Sequence, residues 1–394
     1  MVNDMRACML AYAFYESDNR VRRYAETLAK QGFQVDAVAL GKVGQPRYGN
    51  LAGVRICRIQ ERVRDETGKL SYLYKIVRFF FTSLLFISKQ HLQQRYDLIH
   101  VHSVPDFEVF ATLFAKMTGA KIILDIHDIV PELYASKFNI GKESFTFKAL
   151  VSIEKASVAF SDHVIIANHI WQGTLQSRSV KKEKCTTMLN YPDPSIFYNR
   201  PKARKEDKFI VIYPGTLNWH QGLDIAVRAF AQIKDVISEA EFHIYGDGPL
   251  RPMIQQLIGD YNLQDSVLLK GTLTLDQIAI VMADADLGIV PKRNDSFGGE
   301  AFSTKILEFM ALGVPVVVAA TRIDRYYFSD SIVRFFEPEN VQDLALTIED
   351  MIRNRELGER LSSNAMVFVS DFTWDKREKE YLSLVDRLLS QRVD

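Results

Sequence analysis

The residues best suited to chemistry stand close together in GGEAFSTKILEFMALGVPVVVAA, residues 298–320. Gly298 and Gly299 can offer backbone N–H groups to a ligand without side-chain obstruction. A helix is expected over roughly Ser303 to Leu312, with Ile306, Leu307, Met310 and Ala311 as its apolar face, ended by Gly313 and Pro315. The start of such a helix, at Ser303 and Thr304, carries free N–H groups and the positive end of the dipole, which suits a phosphate. Lys305 falls in the first turn, where a cation is unfavourable to the dipole unless an anion is nearby. Glu308 lies one turn further along the same side, and Glu300 precedes the helix. Two carboxylates flanking a phosphate site can touch the two ends of one extended ligand. The same residues also permit a plainer arrangement, a solvated Lys305–Glu308 pair after a simple glycine turn, and local pattern does not separate the two.

A second group of candidates sits at strand ends. His127 closes the apolar run KIILDIHD, the position at which open parallel sheets bind ligands. DLIHVHS holds His100 and His102; one is expected to pack inward, with His102 the residue at the ligand side. Asp18, Asn19 and Arg20 form the turn after the first strand, and Arg20 reads either as a contact to phosphate or an anionic acceptor or as a solvated helix start. That turn has no GxGxxG, which argues against a dinucleotide dehydrogenase. Cys8, Cys57 and Cys185 are scattered without CxxC or Cys/His spacing, and no Asp-x-Asp motif stands at a cleft position. Neither a metal site nor a disulfide framework is expected, and a reducing cytoplasm fits.

These side chains need elements to hold them. The 394 residues suit two domains, and 47% hydrophobic with 25% charged residues is a globular balance. Lys plus Arg and Asp plus Glu number 49 each, so nothing suggests a nucleic-acid partner. Strands are expected at RACMLAYAF, QVDAVAL, VRICRI, DLIHVHS, KIILDIHD, HVIIAN and CTTMLN. After the proline-containing linker 191–208, more follow at FIVIYPG, EFHIYGDG, SVLLKG, ADLGIVP, VPVVVAA and IVRFFEP. Their apolar runs are continuous, as in parallel sheets buried on both faces, and helical stretches alternate with them. The pattern is α/β: two Rossmann-like doubly wound domains facing across a cleft. The start, MVNDMRACMLAYAF, reads as a first strand rather than a leader peptide. KIVRFFFTSLLFISK, residues 75–89, is too short and too interrupted to span a membrane. It reads as a helix buried in the first domain, or as a membrane-surface contact through 72–92 with Lys75, Arg78 and Lys89 toward anionic lipid. FTWDKREKEYLSLVDRLLS is an amphipathic helix with Tyr381, Leu382, Leu384, Val385, Leu388 and Leu389 inward.

Taken in order, these blocks resemble the family 4 retaining glycosyltransferases of the GT-B fold (glycosyl transferases group 1). The spacing of Glu300 and Glu308 before EFMALGVPVVVA is similar to that family's donor-site signature. YPGTLNWHQGLDIAVRAF, FHIYGDGPLRPMI, VLLKGTL, ADLGIVP, DLIHVHS and ILDIHDIVPELY resemble its successive blocks over nearly the whole chain. The resemblance implies an acceptor-side domain, 1–195 with a returning helix 375–394, and a donor domain, 196–374. It implies a metal-independent, cofactor-free transfer of sugar from a UDP- or GDP-linked donor to a hydroxyl of a carbohydrate or lipid-linked acceptor, in bacterial polysaccharide or glycolipid assembly. Glu308 would bind ribose. Glu300, with the backbone after Gly298 and Gly299, would hold the sugar beside its reacting carbon, with His127 against the same sugar. Leu273 would lie beside the base, and Gly246 and Gly248 would line the nucleotide pocket. Where many members carry an Arg and a Lys on the diphosphate, the turn at Gly215 supplies Thr216 and Gln221. Lys305 is the expected substitute, with Arg293 second. A nucleotide-sugar epimerase or phosphorylase on the same fold, or a sugar-nucleotide-binding protein without activity, are the alternatives.

Overall fold

Continuous apolar runs become strands buried on both faces. RACMLAYAF forms β1 (Arg6–Phe14), whose first seven residues are all buried. This computed structural model describes residues 5–62, 69–138, 140–204 and 208–390. Parts of the expected linker, 205–207, and of the tail, 391–394, lie outside the described residues.

The chain divides into two units. The first runs to Asn190 and takes in the residues from Glu378 onward; the second is Tyr191–Arg377. In the first, β1 is joined by β2 (Gln34–Gly41), β3 (Tyr48–Leu51), β4 (Val54–Glu61), β5 (Leu98–His102), β6 (Lys121–Ile126), β7 (His163–Ile166) and β8 (Cys185–Thr187). The sheet order is β3-β4-β2-β1-β5-β6-β7-β8. Every pairing is parallel except β3 on β4. β3 has no counterpart among the expected strands: YGNL is four residues of exposed and half-buried positions with no apolar run to reveal it.

The second unit carries β9 (Phe209–Pro214), β10 (Ala240–Tyr245), β11 (Val267–Lys270), β12 (Leu287–Val290), β13 (Val316–Ala319) and β14 (Arg334–Phe336), all parallel in the order β11-β10-β9-β12-β13-β14. Two apolar clusters cover the sheet. One is built around Phe230, Phe242 and Ile348, the other around Ile306, Phe309, Met310 and Val333. Phe197 is buried in the latter, so the proline-containing stretch after Asn190 packs onto the second unit rather than hanging free.

The helix Trp374–Ser390 closes the chain. Tyr381, Leu384, Val385 and Leu388 are buried, as the apolar stripe predicts. Tyr381 hydroxyl lies 3.1 Å from His100 Nδ1 on β5, fixing this helix to the first unit. Among the described residues no helix is long and apolar enough to cross a membrane.

Candidate active site

After β12 the chain turns through 291–303 and enters the helix Thr304–Leu312, ended by Gly313 at φ +71. Ser303 occupies the N-cap position, but its hydroxyl makes no capping bond, and its buried Oγ has no partner among the described residues. The first-turn N–H groups of a helix have no intrahelical acceptor, so an uncapped start suits an anion.

Gly298 and Gly299 do something other than present free N–H groups. Gly298 N–H donates to Asp295 Oδ1 at 2.6 Å and Gly299 N–H to Asp295 O at 2.9 Å. Both residues must be glycine because a Cβ would stand 2.7 Å from Arg293 O in one case and 2.8 Å from Asp295 O in the other. They fold a tight loop that delivers Glu300. That loop is stapled: buried Lys292 donates to Ala301 O at 2.7 Å while pairing with Asp324 at 2.8 Å, and Ile323 N–H donates to Gly299 O at 3.0 Å. Glu300 meets the exposed Arg322 guanidinium at 2.6 Å. A pair this exposed stabilises by no more than about 1 kcal/mol and can exchange for a ligand.

Lys305 reaches back over the end of β9. Its Nζ donates to Gln221 Oε1 at 3.2 Å and lies 5.4 Å from the centroid of the Tyr213 ring. Burial pulls the Lys305 pKa down to about 8; Glu308 opposes this and Lys292 adds to it. The approach depends on Gly215 (φ +145), where a Cβ would lie 2.4 Å from Lys305 Cε. Gly246 (φ +151) presses on the other side of Gly215, with a would-be Cβ 1.8 Å from its carbonyl oxygen. Gly248 packs likewise against Leu217. Thr216 is exposed and offers its carbonyl to the Tyr213 hydroxyl at 2.8 Å. Leu273 is exposed on the loop after β11.

Arg293 is not available as a substitute for Lys305. It is buried, its Nη1 and Nη2 fork onto Asp224 at 2.9 and 2.8 Å, and its guanidinium stacks on Trp219. Satisfied buried pairs of this kind are not released without a large loss.

In the first unit the expected strand-end residues form one buried cluster around Asp125, which sequence reasoning passed over. Arg20 does not stand at the surface; it is buried, with Nε and Nη2 donating to Asp125 at 2.8 and 2.7 Å and Nη1 to Met188 O at 2.9 Å. Asp18 caps the helix Asn19–Lys30, accepting the N–H groups of Arg20 and Val21. His102 is buried as well, Nδ1 at 3.2 Å from Asp125 Oδ2, and burial lowers its pKa. His100 and His102 both point inward because residues two apart on a strand share a face; their rings stack at 4.3 Å. His127 is half-buried, with Nε2 3.0 Å from Asp125 Oδ2. Burial alone would raise the Asp125 carboxyl, but Arg20 and then His127 hold it well below the usual range. The ligand atoms of His100, His102 and Asp125 lie within 4.8 Å of one another, yet the Arg20 guanidinium already occupies Asp125 and opposes a cation there. The signal for Asp125 was a charged residue inside an otherwise apolar strand, where a buried carboxylate requires partners.

A family model described as "Glycosyl transferases group 1" matches residues 196–368, and one described as "Glycosyl transferase 4-like domain" matches residues 17–190. The chain belongs to the family 4 glycosyltransferases of the GT-B fold. It is similar to the 2-deoxystreptamine N-acetyl-D-glucosaminyltransferase of Niallia circulans, at 23% identity over 76% of this chain and 78% of that protein. An uncharacterized glycosyltransferase of Methanocaldococcus jannaschii is 23% identical over 91% of each. Among solved structures, sucrose-phosphate synthase from Thermosynechococcus elongatus superposes with a TM-score of 0.81 at 19% identity, covering 98% of this chain and 99% of that one. Anabaena HepE in complex with UDP-glucose gives 0.73 at 16% identity, over 97% and 99%. At such identities the structural likeness carries the fold, and the site of this glycosyltransferase rests on its own residues.

Proposed function

We propose that this glycosyltransferase takes a sugar from a nucleotide-sugar donor held by the second unit and passes it, with retention of configuration, to a hydroxyl acceptor. The observation that carries the reading is Lys305: a half-buried cation in the first turn of an uncapped helix, bonded to the neutral Gln221. Burial and the helix dipole both oppose its charge, and a diphosphate would answer both. When the sugar–phosphate bond breaks, negative charge grows on the leaving diphosphate, and Lys305 with the helix-start N–H groups stabilises it. In this reading Glu308 binds the ribose, Glu300 leaves Arg322 for the sugar, and Leu273 lies beside the base. The reaction so written draws its positive charge from Lys305 rather than from a metal. His127, with Nε2 3.0 Å from Asp125 Oδ2, is the first unit's candidate for the same sugar. HepE, a neighbour in fold, is solved with UDP-glucose, which supports a UDP-linked donor here.

The acceptor we infer is a carbohydrate or lipid-linked sugar of bacterial polysaccharide or glycolipid assembly, met at a membrane surface by the helix Lys69–Gln93. One face of that helix exposes Leu73, Val77, Phe81 and Leu85 at successive turns, beside exposed Arg78 and Lys89. The role of Lys305 is tested by turnover of the Lys305→Ala variant. We expect a fall of about two to three orders of magnitude, the scale for removing one group that stabilises developing charge. Near-normal turnover would overturn the assignment.

A further inference from the structure

Beside Lys305, the ends of β9 and β12 build a second feature. Trp219 opens the short turn Trp219–Gln221 and is 54% exposed. The Arg293 guanidinium lies 3.5 Å from the centroid of its ring. Arg293 is held in turn by the Asp224 fork, and its Nη1 also donates to Trp219 O at 3.1 Å. Arg293 N–H donates to His220 O at 3.0 Å. Gly222 (φ +64) abuts β12's end so closely that a Cβ would stand 1.9 Å from Pro291 O. The turn is therefore pinned through backbone and side chain, and the indole keeps one plane while much of it faces water. An aromatic surface ordered in advance loses little entropy on contact.

Its neighbours say what it would contact. Gln221 holds Lys305 Nζ, and His220 packs edge-on against Phe297, 5.5 Å between centroids, in the loop that delivers Glu300. In the sheet order, Leu273 follows β11, two strands from β9, whereas Trp219 follows β9 and stacks on Arg293 just after β12, the strand that leads into the Glu300 loop. A donor laid across these strand ends has its base near β11, its phosphates at Lys305 and its sugar toward β12.

We propose that Trp219 is a carbohydrate platform whose indole stacks on the C–H face of the donor's sugar ring, with Arg293 and Asp224 as the buried brace that fixes its plane. The proposal rests on the nucleotide-sugar reading above.

The chain has three tryptophans. Trp171 is 1% and Trp374 is 8% exposed, so acrylamide quenching of indole fluorescence reads Trp219, and the Trp219→Phe variant identifies its contribution. A nucleotide sugar that raises the melting temperature should cut this quenching several-fold, whereas the matching nucleoside diphosphate leaves it unchanged. Trp219→Ala should raise KM for the nucleotide sugar about three- to tenfold, the scale of an aromatic contact, with affinity for the nucleoside diphosphate unaltered. Equal protection by the diphosphate alone, or a nucleotide sugar that raises melting without protecting Trp219, overturns the platform. If no nucleotide sugar raises the melting temperature, the donor reading itself fails and the platform with it.

Discussion

Burial, helped by Lys292 and opposed by Glu308, brings the Lys305 pKa down to about 8, which gives it a measurable signature. Only the protonated ammonium attracts a diphosphate. Below about pH 8 the free site is already charged and affinity is insensitive to this group. Above it, each pH unit adds a cost of up to about 1.4 kcal/mol for protonating the amine before binding, a tenfold loss. Calorimetry of a nucleoside diphosphate between pH 7 and 9.5 should show Kd flat and then rising toward tenfold per unit, with proton uptake above pH 8. A flat profile through pH 9.5 would mean that Lys305 does not meet the phosphate. Lys305 and its flanking glutamates were legible in the sequence because helical spacing is local. Arg293 and Arg20 were not, because their carboxylate partners lie 69 and 105 residues away in the chain, and nothing in either neighbourhood announces a buried pair. The two glycines were legible as glycines but not in purpose: Asp295, three residues before Gly298, takes the N–H groups expected to face a ligand.

At the scale of elements, the helix Lys69–Gln93 shows what periodicity leaves open. Its apolar residues run around most of the circumference, which reads as burial. The structure buries one side, Ile76, Phe79, Ser83, Ile87 and His91, and leaves Leu73, Val77, Phe81 and Leu85 exposed on the other. A sequence shows that a face is apolar, not whether another element covers it. If that row meets lipid, vesicles containing anionic phospholipid should sediment a larger fraction of the protein than neutral vesicles, less so at high salt. The Phe81→Ser, Leu85→Ser double variant should lose most of the difference. Equal partition into both vesicle types would remove the lipid contact. The strands were the more legible elements, since thirteen continuous apolar runs became strands and only the short edge strand β3, without such a run, went unseen.

For the whole molecule, the order of blocks carried more than any block alone. GTLNWHQG, YGDGP and the Glu300–Glu308 segment are each compatible with ordinary turns and helices. Their succession along parallel strands brings Gly215, Gly246, Gln221 and Lys305 to neighbouring strand ends in one unit, as the rule for open α/β sheets requires. Balanced charge, 49 basic against 49 acidic residues, leaves local arrangement rather than net field to recruit an anionic donor. The most direct measurement is a thermal-shift screen of the intact protein against a panel of UDP- and GDP-linked sugars. A donor present at one hundred times its Kd adds about 2.7 kcal/mol by mass action. At least one nucleotide sugar should therefore raise the melting temperature, with the shift much reduced in Lys305→Ala. A panel in which no nucleotide sugar moves the transition would contradict the proposed donor site.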